Sequence, residues 1–343
     1  MANEPGARTV TVGVVGCGAW GRNLVRTFHT LPGSRLPIVC DIDEKRNVAM
    51  RQQFPGLRAT LRFDELLAEP GLEAVVVGAS ANAHKELALR SIAAGKHTYV
   101  EKPLTLSVAD SREVVEAARA RGVILMVGHL LLYHPAVLYL KRLIDSGDLG
   151  DVLYVYSQRL NLGTVRKDEN AFWSFAPHDI SVVNYFMGAK PLSVSARGQS
   201  FITKGVEDVV FAVLRYPGDR IGQIHVSWLD PHKVRRTTLV GSKKMAVFDD
   251  GEASEKVRIY DKGANISREY QTYGEYLGLR HGDVLIPRID LSEPLALEAA
   301  HFLDCVRTGN APRSDGANGL EVVDVLEATT ESLRRDGAPV AIR

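Results

Sequence analysis

Over the first 128 residues, short apolar runs alternate with segments whose apolar positions recur at helical spacing, the pattern of a parallel doubly wound sheet. Thr9 to Gly16 is apolar on both faces, which predicts a central strand. Arg22 to Leu31 places Leu24, Val25 and Phe28 on one side and stops at Pro32-Gly33, which predicts a helix. Ile38 to Ile42 reads as the second strand, with Pro37 tolerable only at its very start. A helix over Asp43 to Phe54 and a weak strand near Thr60 follow. Strands at Ala74 to Gly78, Thr98 to Val100 and Val123 to Val127 are separated by helices at His84 to Ala94 and Ser107 to Arg121. Six strands with right-handed helical crossovers predict an α/β fold, a dinucleotide-binding Rossmann domain over residues 1–128.

After about Gly150 the pattern changes. Val152 to Tyr156, Val209 to Leu214, Ile221 to Trp228, Thr237 to Val240 and Met245 to Phe248 are strand-like, and Pro217-Gly218-Asp219 is a hairpin turn. Strands in direct succession predict a mostly antiparallel sheet, so residues 129–343 read as a C-terminal α+β domain. Late helices near Pro294 to Thr308 and Leu320 to Arg335 are expected to pack back on the first domain.

Composition narrows the classes. With 45% apolar residues, 24% charged residues and a formal charge of +1, the chain lacks the concentrated basic field of a nucleic-acid or membrane surface. Cys17, Cys40 and Cys305 form neither a disulfide framework nor a CxxC metal pair, so a reducing cytoplasm and no metal are expected. Met1 to Arg8 has no apolar run of the signal-peptide kind and reads as a flexible lead. Val123 to Leu140 carries no Asp, Glu, Lys or Arg, yet Gly128, His129, His134 and Pro135 interrupt it, so a strand followed by a helix explains it better than a membrane span. His225 and His232 have no carboxylate at ligand spacing, and Lys233 to Arg236 read as solvated strand-edge charges.

The candidate chemistry begins at Gly16-Cys17-Gly18-Ala19-Trp20-Gly21, a G-x-G-x-x-G turn between a strand and a helix. Gly16 permits the tight turn, Gly18 lets backbone approach a pyrophosphate, and Gly21 allows close helix–strand packing, with the phosphates over the helix N-terminus. Asp41, about twenty residues on, is placed to accept from the adenosine ribose hydroxyls and to repel a 2′-phosphate, which favours NAD over NADP. Nearby Lys45 and Arg46 could soften that choice, and Asp41 alone could be a turn residue. Glu101-Lys102-Pro103 stands at the carboxyl end of the fifth strand, where ligands bind in open α/β sheets; an ammonium there can stabilise a developing oxyanion. By composition alone the pair reads instead as an exposed surface ion pair.

Together the glycine turn, Asp41, the run Ala79-Ser80-Ala81-Asn82-Ala83-His84 and Glu101-Lys102-Pro103 resemble the glucose–fructose oxidoreductase/inositol dehydrogenase/MocA family. The resemblance implies an NAD-dependent sugar dehydrogenase with an open-faced C-terminal sheet that holds a sugar or cyclitol and mediates a homodimer or homotetramer. It implies cofactor contacts from Gly16, Gly18, Ala19, Trp20, Gly21, Asp41, Ser80, Asn82, His84, Glu101 and Lys102, with Lys102 also catalytic. The family pattern of an aspartate followed four residues later by an acid/base histidine falls on Ser174 and His178, so His178 takes the histidine role while serine replaces the aspartate. Pro177 suits a first helical position, with Ile180, Val183 and Met187 as the following apolar stripe. His178 is thus expected in a first turn whose positive end keeps the imidazole neutral, with Asp179 opposing.

For substrate, Arg159, Asn161, Arg166, Asn170 and Trp173 supply hydrogen-bonding groups and a large ring just before His178 and Asp179, the mixture a carbohydrate site needs. His129 and Tyr133, after the sixth strand, are further candidates, and His134-Pro135 equally reads as a helix start. This stretch resembles family members of bacterial nucleotide-sugar pathways, including UDP-N-acetylglucosamine 3-dehydrogenases. Inositol or free-aldose dehydrogenases, and a non-catalytic NAD- and sugar-sensing regulator, stand as alternatives.

Overall fold

The computed structural model describes residues 8–163, 165–166, 169–266, 277–290 and 292–343; apart from Arg8, the N-terminal lead lies outside them. The chain divides into two compact units, Met1–Tyr133 with Ser292–Val323, and His134–Leu291 with Asp324–Arg343. The division falls five residues after the one read from the sequence (133 against 128), and the first unit takes in a late segment.

In the first unit, β1 (Val10–Val15), β2 (Ser34–Cys40), β3 (Arg58–Thr60), β4 (Ala74–Val77), β5 (His97–Glu101) and β6 (Leu125–Gly128) form a parallel sheet in the order β3-β2-β1-β4-β5-β6. That is the dinucleotide-binding order, with the reversal between β1 and β4. Strands β1, β4 and β6 are buried at every position, as their largely apolar runs require. The helices are α1 (Gly21–Thr30), α2 (Glu44–Gln53), α3 (Phe63–Leu67), α4 (Ala81–Ala93) and α5 (Val108–Arg121). Asp43 and Ser107 cap α2 and α5 by accepting the Lys45 and Asp110 amides.

Three details depart from the sequence reading. β2 starts at Ser34, so Pro37 lies inside the strand rather than at its start. The β1–β2 register shifts between Thr11, opposite Arg35, and Gly13, opposite Ile38, and this irregularity accommodates a residue without an N–H. The five-residue α3 is too short to announce itself by periodicity. α4 starts at Ala81, which places His84 within the helix.

The second unit holds α6 (Pro135–Asp145), α7 (Ala171–Met187) and a nine-stranded sheet. Its strands are β7 (Val152–Leu160), β8 (Ser193–Gln199), β9 (Val209–Arg215), β10 (Ile221–Ser227), β11 (Val234–Gly241), β12 (Met245–Asp249), β13 (Val257–Ile266), β14 (Leu277–Leu285) and β15 (Val340–Ala341). The sheet order is β14-β13-β12-β11-β7-β10-β9-β8-β15, antiparallel throughout except for β7 beside β10. Val123 to Leu140 resolves into β6, a 3-10 turn over Leu130–Tyr133 and the start of α6, and no helix among the described residues is long and apolar enough to cross a membrane. α8 (Pro294–Thr308) belongs to the first unit, and α9 (Gly316–Arg334) contributes residues to both.

α7 covers one face of this sheet: a Cβ on Gly222 would come within 2.9 Å of Val183. Val155, Ala212, Leu214 and Ile224 are buried, while Tyr154, Phe211, Val213 and Ile221 are exposed. Asp208, fully buried, ties the sheet to its loops, accepting from Trp228 Nε1 at 2.6 Å and from the Phe201 and Ile202 amides at 2.6 and 2.9 Å. Burial alone would raise its pKa, but the indole and the two amides outweigh that and hold it below the usual value. A depressed carboxyl stabilises the fold above the unfolded pKa of about 3.9 and ceases to do so as pH falls through the folded one. Asp208→Asn turns one donor-facing oxygen into a donor, so urea unfolding at neutral pH should show a loss of about 1–3 kcal/mol that shrinks in acid.

Candidate active site

The glycine loop separates packing from binding. Gly16 has φ +90°, and a Cβ there would sit 2.4 Å from the Ala79 amide nitrogen; one on Gly21 would lie 1.9 Å from the Gly16 carbonyl oxygen. A Cβ on Gly18 would meet only the Arg46 guanidinium, at 3.6 Å, so the middle glycine faces open space. That space continues into a cavity of about 800 Å³ lined by Gly16, Gly18, Trp20, Asp41, Arg46 and Ser80 among others. Ala19 also lines it. Asp41 accepts from the Cys17 amide at 2.6 Å and the Asp43 amide at 2.9 Å, so its carboxylate is built into the loop it serves. Arg46 approaches Asp41 at 3.4 Å and Asp43 at 3.6 Å.

At the ends of β5 and β6 the groups are buried. Glu101 accepts from Trp20 Nε1 at 2.7 Å, from the Tyr99 hydroxyl at 3.2 Å and from the Lys102 amide at 3.2 Å. It therefore braces the glycine loop and the Lys102 turn together. His84, expected at the cofactor, is buried with Nδ1 2.8 Å from the Pro103 carbonyl and Nε2 3.1 Å from that of Ala79, so it braces the Lys102-Pro103 loop from behind. Asn82, expected beside it, is exposed on α4.

His129 is fully buried beside Lys102, and neither ring nitrogen has a hydrogen-bond partner among the described residues. Burial first, then the Lys102 ammonium, push its pKa down to about 3, so the ring is neutral in ordinary buffer. Tyr133 is committed elsewhere: its hydroxyl lies 2.9 Å from Ser314 Oγ, and Arg313 covers its ring at 4.9 Å.

In the second unit, α7 corrects the picture of His178. The helix starts at Ala171, capped by Asn170, whose side chain accepts the Trp173 amide, and Pro177 lies inside it. His178 is the eighth helical residue, so the positive helix end expected to keep its ring neutral is two turns away. Ser174, one turn before it, is buried. Asp179 accepts from Ser157 Oγ at 2.6 Å and from Arg159 Nε and Nη2 at 2.6 and 3.3 Å, which commits both of its oxygens. Asn170 also donates to Glu207 at 2.7 Å, Trp173 Nε1 donates to Thr330 at 2.9 Å, and Arg166 pairs with Glu169 at 2.8 Å.

Arg235, read from the sequence as a solvated strand-edge charge, is instead half-buried. Its register partner across β7–β11 is Arg159, a like-charge pair that opposes sheet formation unless compensated. Compensation comes from Asp179 on Arg159, and for Arg235 from the Leu160 carbonyl at 2.8 Å, Asn161 Oδ1 at 2.5 Å and the Phe175 ring at 5.4 Å. Burial, followed by the Arg159 charge, lowers the Arg235 pKa from its usual value. Its alternation position on the strand was the available signal, since the neighbour Arg236 instead pairs with Asp249.

With this geometry in place, residues 10–129 match the NAD-binding Rossmann domain of the GFO/IDH/MocA oxidoreductase family, and residues 137–247 match that family's C-terminal domain. The chain belongs to the GFO/IDH/MocA family and is an NAD-binding oxidoreductase. It is 26% identical to scyllo-inositol 2-dehydrogenase (NAD(+)) of Bacillus subtilis strain 168, over 97% of this chain and 96% of the relative. An uncharacterized oxidoreductase of Streptococcus pneumoniae serotype 4 is 28% identical over 62% of this chain, a match that spans 60% of that relative's length. A solved structure from Magnetospirillum magnetotacticum MS-1 superposes with TM-score 0.78 at 30% identity, covering 93% of this chain and 99% of that one.

Proposed function

We propose that the protein is an NAD-dependent sugar dehydrogenase or ketoreductase whose substrate is a nucleotide sugar of the UDP-N-acetylglucosamine type, with C3 as the reacting carbon. When bound, the nicotinamide supplies the two-electron chemistry. The Lys102 ammonium donates to the oxygen on the reacting carbon and stabilises its alkoxide-like charge. The His178 imidazole takes the hydroxyl proton. Glu101 and His84 keep the Lys102 turn in place, and Asp179 fixes Arg159.

The observation that carries the nucleotide-sugar reading is the juxtaposition of the half-buried Arg159 and Arg235 in register across β7–β11, with Asp179 paired to Arg159. Such a cluster suits phosphate oxygens, which an uncharged polyol lacks. The competing reading is an inositol dehydrogenase, favoured by the near full-length similarity to the scyllo-inositol enzyme. We further propose a cytoplasmic homodimer or homotetramer, in keeping with three free, buried cysteines and the exposed apolar residues Tyr154, Phe211, Val213 and Ile221 on the open sheet face.

NAD reduction across UDP-sugars, dTDP-sugars, inositols and aldoses tests this. Turnover is expected with a nucleotide sugar, and Arg235→Met should raise its KM about 10- to 100-fold with kcat little changed. Turnover with inositols alone, unaffected by Arg235→Met, would establish the competing reading. Tight NAD binding with no turnover on any substrate would identify a sensor.

A further inference from the structure

Behind the cofactor loop, three buried side chains of the first unit stand in line. The Tyr99 hydroxyl lies 3.1 Å from Glu298 Oε2, on α8, and 3.2 Å from Glu101 Oε1. None of the three residues is more than 8% exposed. The Tyr99 ring meets Phe28 and Phe302 edge-on, with centroids at 6.4 and 5.8 Å.

A phenol has one proton to give, and an ionised carboxylate can only accept. If both carboxyls were ionised, one of them would face the lone pairs of the Tyr99 oxygen as an uncompensated buried charge. One of the two therefore carries a proton, and the donors decide which. Glu101 also receives the Trp20 indole N–H and the Lys102 amide. Glu298 has the Tyr99 hydroxyl on Oε2 and, among the described residues, no partner on Oε1. The charge belongs on Glu101 and the proton on Glu298.

We infer that Glu298 is a positioning residue for the cofactor loop: a carboxylic acid that keeps its proton at neutral pH, donates to Tyr99 and so commits the Tyr99 proton to the Glu101 carboxylate. Through Glu101, that commitment reaches Trp20 in the glycine turn and the backbone of Lys102. Burial raises both carboxyls: Glu298, with the negative charge of Glu101 added, goes well above the usual value, whereas the Trp20 indole, Lys102 and the Tyr99 hydroxyl pull Glu101 back down, in keeping with the donor count. The titratable groups that face Glu298 are Tyr99 and Glu101 on β5 and Tyr133 in the 3-10 turn, with Lys102 beyond Glu101.

Ionising Glu298 would place a second anion opposite Glu101 and contest the Tyr99 proton. NAD affinity should therefore weaken on the alkaline side as this acid ionises. The unfolded carboxyl ionises near about pH 4.3 while the folded one keeps its proton, so this group's contribution to stability is lost as pH rises. The inference rests on NAD binding and not on the identity of the sugar, and its test needs no substrate.

Infrared spectra of the cofactor-free protein at neutral pH should show the carbonyl stretch of a protonated carboxylic acid, absent in Glu298→Gln. Glu298→Gln keeps a donor towards Tyr99 and should bind NAD within about threefold of wild type, without the alkaline weakening, whereas Glu298→Ala should bind about tenfold more weakly at every pH. The melting temperature of Glu298→Gln should gain on wild type as pH rises. Tyr99→Phe, which keeps the ring packing, should shift the infrared band and weaken NAD binding, and it serves if the Glu298 variants fail to fold. Absence of the band in wild type, its persistence in Glu298→Gln, or a Glu298→Gln variant as weak as Glu298→Ala would overturn the inference. A role in packing alone would give Glu298→Gln the wild-type pH profile.

Discussion

Lys102→Met is expected to lower kcat/KM by about 100- to 1,000-fold while NAD affinity stays close to wild type. Methionine keeps an unbranched stem of similar length and removes the ammonium. The lost interaction is thus the one that grows as the substrate oxygen gains negative charge, and kcat should carry most of the loss. NAD titration by fluorescence, beside steady-state kinetics, separates the two quantities. His178→Gln should lower kcat by about 100- to 10,000-fold through loss of the proton acceptor. A drop confined to KM for both variants would remove them from the chemistry and leave them as binding groups. The pH profile adds a check. With its pKa near 3, His129 stays neutral, so an activity change between about pH 5 and 8 cannot arise from that ring, and His129→Gln should preserve the position of any such limb.

The second and third glycines of the loop should fail in different ways. In Gly21→Ala the new methyl would stand 1.9 Å from the Gly16 carbonyl oxygen, and this contact is backbone, which cannot rotate aside. The turn must open, so stability should fall by about 1–3 kcal/mol and NAD binding should be lost with it. In Gly18→Ala the methyl meets only the end of the Arg46 side chain at 3.6 Å, so the cofactor-free protein should melt near the wild-type temperature. Its NAD affinity should still fall by at least about tenfold, because the methyl fills the space through which the pyrophosphate reaches the amides at the start of α1. Thermal melts with and without NAD make the distinction directly. Equal losses of stability in both variants would mean that the open space at Gly18 is not where the cofactor lies.

Much of the Rossmann unit was legible because its signals are local. The glycine spacing, the apolar strands and the helix stops each depend on residues a few positions apart, and α1, α2 and α5 begin within a residue or two of where capping and periodicity place them. The start of α7 was misread because proline serves equally at a first helical position and inside a helix that other contacts hold, and Asn170 supplied an earlier cap. β8, β13 and β14 were overlooked because SVSARGQ, VRIYDKGANI and LGLRHGDVL lack the apolar density that marks a strand by itself. Their places come from the neighbours they pair with.

By itself the sequence determined the class of the protein: a dinucleotide fold, with a glycine-rich turn after its first strand, an aspartate after its second and a lysine at the end of its fifth. Only the tertiary structure decided who holds whom. It gave Asp179 to Arg159, set Arg235 across from Arg159, turned His84 into a brace, and brought Glu298 to a tyrosine 199 positions away. Helix and turn preferences act between near neighbours and leave a readable pattern, whereas a buried hydrogen bond depends on where separate elements dock, and no local pattern records that.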